Sequence, residues 1–173
     1  MDGRSIFSRR RFLGVMLGAG SATLMGGAAA LFWLRGRAPA VPGLRCLTDH
    51  QYRTMRQLAL ALFPREDGFP VGDEDVDLAR SFDAFLADEP EWNRGDLGKG
   101  LFLLEYGPVI FERRLVTFSH LPAAERLAHF ERWSEGGLVR RQLALALRRF
   151  LTLVFYDRPE VWPYIGYDGP LVR

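Results

Sequence analysis

Leu138-Val139-Arg140-Arg141-Gln142-Leu143-Ala144-Leu145-Ala146-Leu147-Arg148-Arg149-Phe150-Leu151-Thr152-Leu153-Val154-Phe155-Tyr156 decides the fold class. The stretch is apolar around most of a helical circumference, interrupted by two Arg pairs spaced eight residues apart and so near one face. Such a helix is expected at the centre of a bundle, with the arginines in solvent or paired to acids of the preceding helix or of a partner. Upstream, Gly136-Gly137 closes a fourth helix that Pro122 opens, with Leu127, Phe130 and Trp133 inward. A third helical region spans about Asp96 to Phe118, with Leu97, Leu101, Leu104, Phe111, Leu115 and Phe118 at helical spacing. Pro108 must kink or split it, since proline lacks an N–H and clashes with the preceding turn. Earlier still, Asp73 or Asp75 can cap a helix carrying Leu78, Phe82, Phe85 and Leu86, which ends before Pro90. Thr48-Asp49-His50-Gln51 has the form of a capping box for the first helix, whose face is Tyr52, Met55, Leu58, Ala59 and Leu62 and which Phe63-Pro64 stops. No alternating strand and no repeat occurs, so the expectation is a single all-α bundle of about five helices.

Before that domain comes Ser8-Arg9-Arg10-Arg11-Phe12-Leu13 and an uncharged stretch from Phe12 to Leu34. Ser-Arg-Arg-x-Phe-Leu is the pattern of a twin-arginine export signal, with Ser8, Arg9, Arg10, Phe12 and Leu13 as its determinants. Gly14, Gly18, Gly20, Gly26 and Gly27 lower the hydrophobicity of the stretch, as such signals tend to do. As a helix it is about 35 Å long, enough for membrane contact or crossing through residues 12–34. Arginines on both sides, four of them before it, place the N-terminus in the cytoplasm. Ala38-Pro39-Ala40 offers small residues to a signal peptidase, and cleavage after Ala40 is preferred to retention as an anchor. The expected organisation is a signal segment over 1–40 and a helical domain over 41–173, exported to the periplasm or anchored facing it. Gly18-x-Gly20-x-x-Thr23 is not a dinucleotide loop, because no strand precedes it and its last glycine is missing.

Six of the 23 basic residues and one of the 21 acidic ones lie in the first 40, leaving 17 against 20 and a net charge near −3. That balance leaves no basic footprint for nucleic acid. The single cysteine, Cys46, excludes an intrachain disulfide, and Cys-x-x-Cys-His is absent. Of the three histidines, His50, His120 and His129, none is followed three or four residues on by a carboxylate or a second histidine, and the Glu-x-x-His and His-x-x-x-His spacings of helical metal sites are absent. His129 is expected at the surface or partly packed, and His50 solvated in a first helical turn. Glu66-Asp67 and Asp73-Glu74-Asp75-Asp77 lack the glycine and spacing of a calcium loop and read as a solvated acidic loop. No nucleophile elbow occurs. Hence no catalytic, cofactor-binding or metal-ligating residue is assigned to this chain.

The C-terminus, Phe155 to Pro170, is dense in aromatic residues, proline and glycine. Rings of this kind anchor interfaces. They either fold back over the bundle's own core or dock on another protein, and the second is preferred. The leader Ser8–Leu13, the Leu47-Thr48 start followed by Leu60-Ala61-Leu62-Phe63-Pro64, and the closing Tyr156-x-x-Pro159-x-x-Trp162…Gly166-Tyr167-x-Gly169-Pro170 together resemble the gluconate 2-dehydrogenase subunit 3 family. These are the small, gamma-type subunits of membrane-associated flavin dehydrogenases.

The resemblance implies a non-catalytic partner of a large FAD-containing oxidoreductase of the glucose-methanol-choline type. A cytochrome c subunit takes the electrons, and the small subunit brings the flavoprotein to the twin-arginine translocase. Tyr156, Trp162, Tyr164, Gly166, Tyr167, Gly169 and Pro170 are then the partner-binding candidates. A flavoprotein that folds around FAD in the cytoplasm must cross folded, so a bound partner can supply its address. Two other readings stay open: a stand-alone exported enzyme or ligand-binding bundle, and a membrane-anchored helical adaptor without a redox partner.

Overall fold

The computed structural model describes residues 33–66 and 69–169. The export determinants Ser8, Arg9, Arg10, Phe12 and Leu13, nearly all of the apolar stretch, Asp67 and Pro170 lie outside the described residues. What is described is all-α: α1 (Asp49–Leu62), a short α2 (Asp73–Val76), α3 (Leu78–Asp88), α4 (Glu91–Glu105), α5 (Gly107–Glu112), a 3-10 turn (Phe118–His120), α6 (Ala123–Ser134), α7 (Leu138–Tyr156) and a short α8 (Trp162–Ile165). No strand occurs among the described residues; Glu66 and Phe69 form an isolated antiparallel bridge. None of the described helices is long and apolar enough to cross a membrane.

The capping box forms as expected. Thr48 Oγ1 accepts from the Gln51 N–H at 3.3 Å, and Gln51 Oε1 accepts from the Thr48 N–H at 2.9 Å. The helix so started is the centre of the domain: α1 packs against α3, α4, α6 and the 3-10 turn. This corrects the expectation for α7, whose main neighbours are α6 and α3 alone. α7 buries Leu143, Ala144, Leu147, Leu151 and Phe155 but leaves Leu138, Leu145 and Leu153 exposed. α1 takes the centre because its polar side chains tie it to neighbours instead of facing water. Thr54 donates to Glu105 of α4, Tyr52 donates to Asp77, and Arg56 pairs with Asp73 at 2.8 Å. Met55, Leu58 and Ala59, all fully buried, fill the remaining face. Truncating a leucine so placed to alanine costs about 2–5 kcal/mol.

Buried carboxylates fix the chain between helices. Asp83 accepts the N–H groups of Arg45, Cys46 and Leu47 at 2.7, 2.9 and 2.7 Å, so α3 holds the peptide that leads into α1. Those three bonds outweigh burial and keep its carboxyl below the usual range. Neither Asp73 nor Asp75 caps α3. Asp77 does, accepting from the Arg80 N–H at 3.1 Å, with its own φ of 45° turning the chain between α2 and α3. Asp73 opens α2 and accepts from the Leu78 N–H at 2.7 Å.

The expected long third helix starts earlier, at Glu91, and is split at Tyr106, where Pro108 cannot donate and α5 begins afresh. Arg113, at φ 54°, ends α5. Leu115 therefore lies outside any helix and is 82% exposed, and Phe111 is also surface-exposed, so neither belongs to the inner face assigned to them. Leu127 and Phe85 are likewise partly exposed, Phe85 resting its ring on Phe150 with centroids 4.4 Å apart. Phe130 and Trp133 are buried as expected.

Candidate functional site

The C-terminal segment has an inward and an outward half. Phe155 is buried, stacked on Phe63 with centroids 4.6 Å apart and against Phe69 at 5.9 Å. Val161 is fully buried, and the Arg158 guanidinium donates to Ser81 Oγ on α3. These contacts seat the segment on the bundle. Beyond them the chain makes the single turn α8 and reverses at Gly166, whose φ of 68° suits a residue without a Cβ. The indole of Trp162 donates to the Tyr156 carbonyl at 3.1 Å and meets Tyr167 edge to face, and a Cβ on Gly169 would come within 3.1 Å of that indole. Trp162, Gly166, Tyr167 and Gly169 therefore come together as one folded knot near Tyr156, while Tyr164 leans on Phe69 on another side. Tyr156, Tyr164, Ile165 and Tyr167 remain exposed, between 42% and 52%. A shallow hollow of about 220 Å³ lies at the edge of Tyr156, lined by Leu62, Phe63, Glu66, Phe69 and Phe155 among others.

His129 is a correction: its side chain is fully buried on α6. Trp133 Nε1, which can only donate, lies 2.9 Å from His129 Nε2, so Nε2 accepts and carries no proton. The Nδ1 proton then goes to Glu112 Oε1 at 2.7 Å, which Arg132 also reaches at 2.7 Å. Burial lowers the His129 pKa below 6.5 despite Glu112, and the ring is neutral. The sequence missed this because the partner carboxylate sits seventeen residues away, across the α5–α6 packing. Gly107 permits the approach, since a Cβ there would lie 2.7 Å from His129 Nε2 and 2.8 Å from Trp133 Cζ2.

The other candidates are also engaged. His120 Nδ1 bonds Thr117 Oγ1 at 2.8 Å, and the His50 ring lies 3.4 Å from an Arg53 nitrogen. Burial first, then Arg35 and Arg53, lower the His50 pKa. In the acidic stretch, Asp75 pairs with Arg65, and Asp73 and Asp77 share Arg56. Burial raises the Asp73 carboxyl to about 6. No cluster able to hold a metal ion occurs among the described residues. Arg148 pairs with Glu131 of α6 at 2.7 Å and Arg140 stacks on Phe111 at 4.4 Å, while Arg141 and Arg149 are exposed. Cys46 is half-buried, 3.8 Å from an Arg94 nitrogen.

A cleft of about 550 Å³ opens between the start of α1 and one side of α4, and Arg35 closes it from the segment before the domain. Arg94, Gly95, Gly98, Lys99, Leu101 and Phe102 form its α4 wall, with Glu105 at its floor. Glu105 is almost fully buried. It accepts from Thr54 Oγ1 at 3.0 Å and from the Ser119 N–H and hydroxyl at 3.1 and 2.7 Å, which pins the 3-10 turn to α1. The Arg53 guanidinium stands 3.8 Å from Glu105 and donates to the Arg35 carbonyl at 2.6 Å and the Arg37 carbonyl at 3.2 Å. The Val41 N–H reaches Asp49 at 2.9 Å and Arg80 reaches the Pro42 carbonyl at 3.1 Å, so residues 35–42 are tied onto the domain. The sequence pattern gives no sign of this cleft, because Arg35 arrives from outside every periodic segment.

No family model matches the chain, and no curated protein and no solved structure matches it either.

Proposed function

We propose that this chain is the escort and structural subunit of an exported flavin dehydrogenase of the glucose-methanol-choline type. It brings a twin-arginine address to a large FAD-containing partner and has no catalysis of its own. The observation that carries the reading is the pairing of the Ser8–Leu13 leader with a helical domain whose buried titratable groups hold helices together. Asp83 binds a peptide, Asp73 a helix start, Glu105 a turn, and His129 spends both ring nitrogens on Glu112 and Trp133. A partner that must cross the membrane folded needs an address and a docking face, and these are the parts the chain offers. In this reading Tyr156, Tyr164 and Tyr167 present rings to the partner, while Trp162, Gly166 and Gly169 hold the turn that displays them; Pro170 belongs to the same motif. A cytochrome c subunit completes the electron path in the family that the chain resembles.

One set of contacts favours a leader retained as a membrane anchor over cleavage after Ala40. Arg53 holds the carbonyls of Arg35 and Arg37, just before Ala38-Pro39-Ala40, and Asp49 holds Val41 just after it. A protease needs that stretch free and extended. Replacing Arg9 and Arg10 by lysine tests the escort reading: the flavoprotein is expected to remain in the cytoplasm, and its normal export would refute the proposal.

A further inference from the structure

We propose that the cleft between Arg35 and α4 is a site for the headgroup of an anionic phospholipid. The inference rests on the reading that the run before Trp33 enters a bilayer, and it names a second, specific membrane contact. Three cations, Arg35, Arg94 and Lys99, line the cleft against the single carboxylate of Glu105. Glu105 is turned inward, its oxygens taken by Thr54 and Ser119. Lys99 is balanced by Asp96 at 2.8 Å, but Arg94 has no carboxylate partner among the described residues; its contact is the Cys46 sulfur. A half-buried guanidinium without a counter-charge is a ready donor pair for a phosphate.

The apolar part of the wall selects an amphiphile over a free anion. Leu101 is buried at the back and the Phe102 ring is 43% exposed beside it, a surface on which the first carbons of an acyl chain can lie. Gly95 and Gly98 keep that wall low, and a Cβ on Gly95 would meet nothing within 4 Å. Position completes the argument. Arg35 follows Trp33, which is 88% exposed at the end of the uncharged run, and Trp92, 44% exposed, lies two turns before Lys99 on the same side of α4. Tryptophan together with Arg and Lys at the end of an apolar run is the residue set that settles at headgroup level.

The test titrates the full-length chain, in uncharged detergent, with dihexanoyl phosphatidylglycerol, followed by calorimetry. Saturable binding is expected, weakened about tenfold by Arg94→Glu and by less in Lys99→Gln, and unchanged in the distant Arg141→Glu. Equal binding of dihexanoyl phosphatidylcholine would overturn the proposal, as would full affinity in both cleft variants. Glycerol 3-phosphate binding as tightly as the lipid would reduce the site to a phosphate site and also overturn it. Flotation with phosphatidylcholine vesicles reads the anchor separately. A chain that does not float there but still binds phosphatidylglycerol through Arg94 supports the site and overturns only the anchor reading.

Discussion

Glu105 should be a costly polar side chain to remove. It is 2% exposed and takes three hydrogen bonds, two of them from Ser119. In Glu105→Ala the Thr54 hydroxyl keeps an alternative, the His50 carbonyl at 3.0 Å, and loses little. The buried Ser119 N–H has no such alternative and costs about 1–3 kcal/mol when left unpaired. Arg53 loses its counter-charge while keeping two carbonyls, and the vacated volume adds about another 1 kcal/mol. The expected total is roughly 3–5 kcal/mol. Glu105→Gln keeps the shape, an acceptor for Ser119 N–H and an amide donor for Ser119 Oγ, so it should cost only about 1 kcal/mol. For a domain of this size 1 kcal/mol moves Tm by about 3–4 °C. Thermal unfolding of the full chain by circular dichroism in uncharged detergent should thus show a drop of roughly 10 °C or more for alanine and under about 5 °C for glutamine. Equal losses in the two variants, or a loss below about 3 °C for alanine, would refute the reasoning about this network.

Three further outcomes follow from the geometry. Because burial lowers the folded pKa of His129 below 6.5, its contribution to stability is complete above 6.5 and is lost as pH falls through the lowered value. Asp73, raised to about 6, acts with the opposite sign, gaining stability as pH falls, and is common to both proteins compared. Tm should therefore fall less between pH 7 and 5 in His129→Gln than in the parent; identical slopes would contradict the neutral-ring assignment. Gly107→Ala should destabilise by about 1–3 kcal/mol through its clash with His129 and Trp133. Gly95→Ala, which meets nothing, should stabilise by about 0.5–1 kcal/mol, and denaturation midpoints that fail to diverge would count against both placements. In the C-terminal segment, Val161→Ala should cost about 2 kcal/mol in Tm measurements. Tyr164→Ser and Tyr167→Ser should leave Tm nearly unchanged but reduce co-elution of a partner, and Trp162→Ala, which removes the ring behind Tyr167, should lower both.

Local signals were legible where a short rule decides them. The capping box at Thr48, the stop at Phe63-Pro64, the break at Pro108 and the limits of α7 all follow from neighbouring residues. What stayed hidden depends on residues distant in sequence. The centre went to α1 because Thr54, Tyr52 and Arg56 found Glu105, Asp77 and Asp73 on other elements, which no hydrophobic count records. His129 is buried because Glu112 and Trp133 satisfy it from two sides, and the cleft exists because Arg35 returns to α4. The aromatic tail is core in part: Phe155 and Val161 are buried, whereas Tyr156, Tyr164 and Tyr167 are exposed.

The central claim is that this chain travels with a flavoprotein. An affinity purification of the tagged full-length protein from membrane and periplasmic fractions, recorded between 350 and 500 nm, tests it most directly. The account predicts a yellow complex with a large second chain that carries a dinucleotide-binding glycine motif and no export signal of its own. A colourless protein eluting alone from both fractions would contradict it.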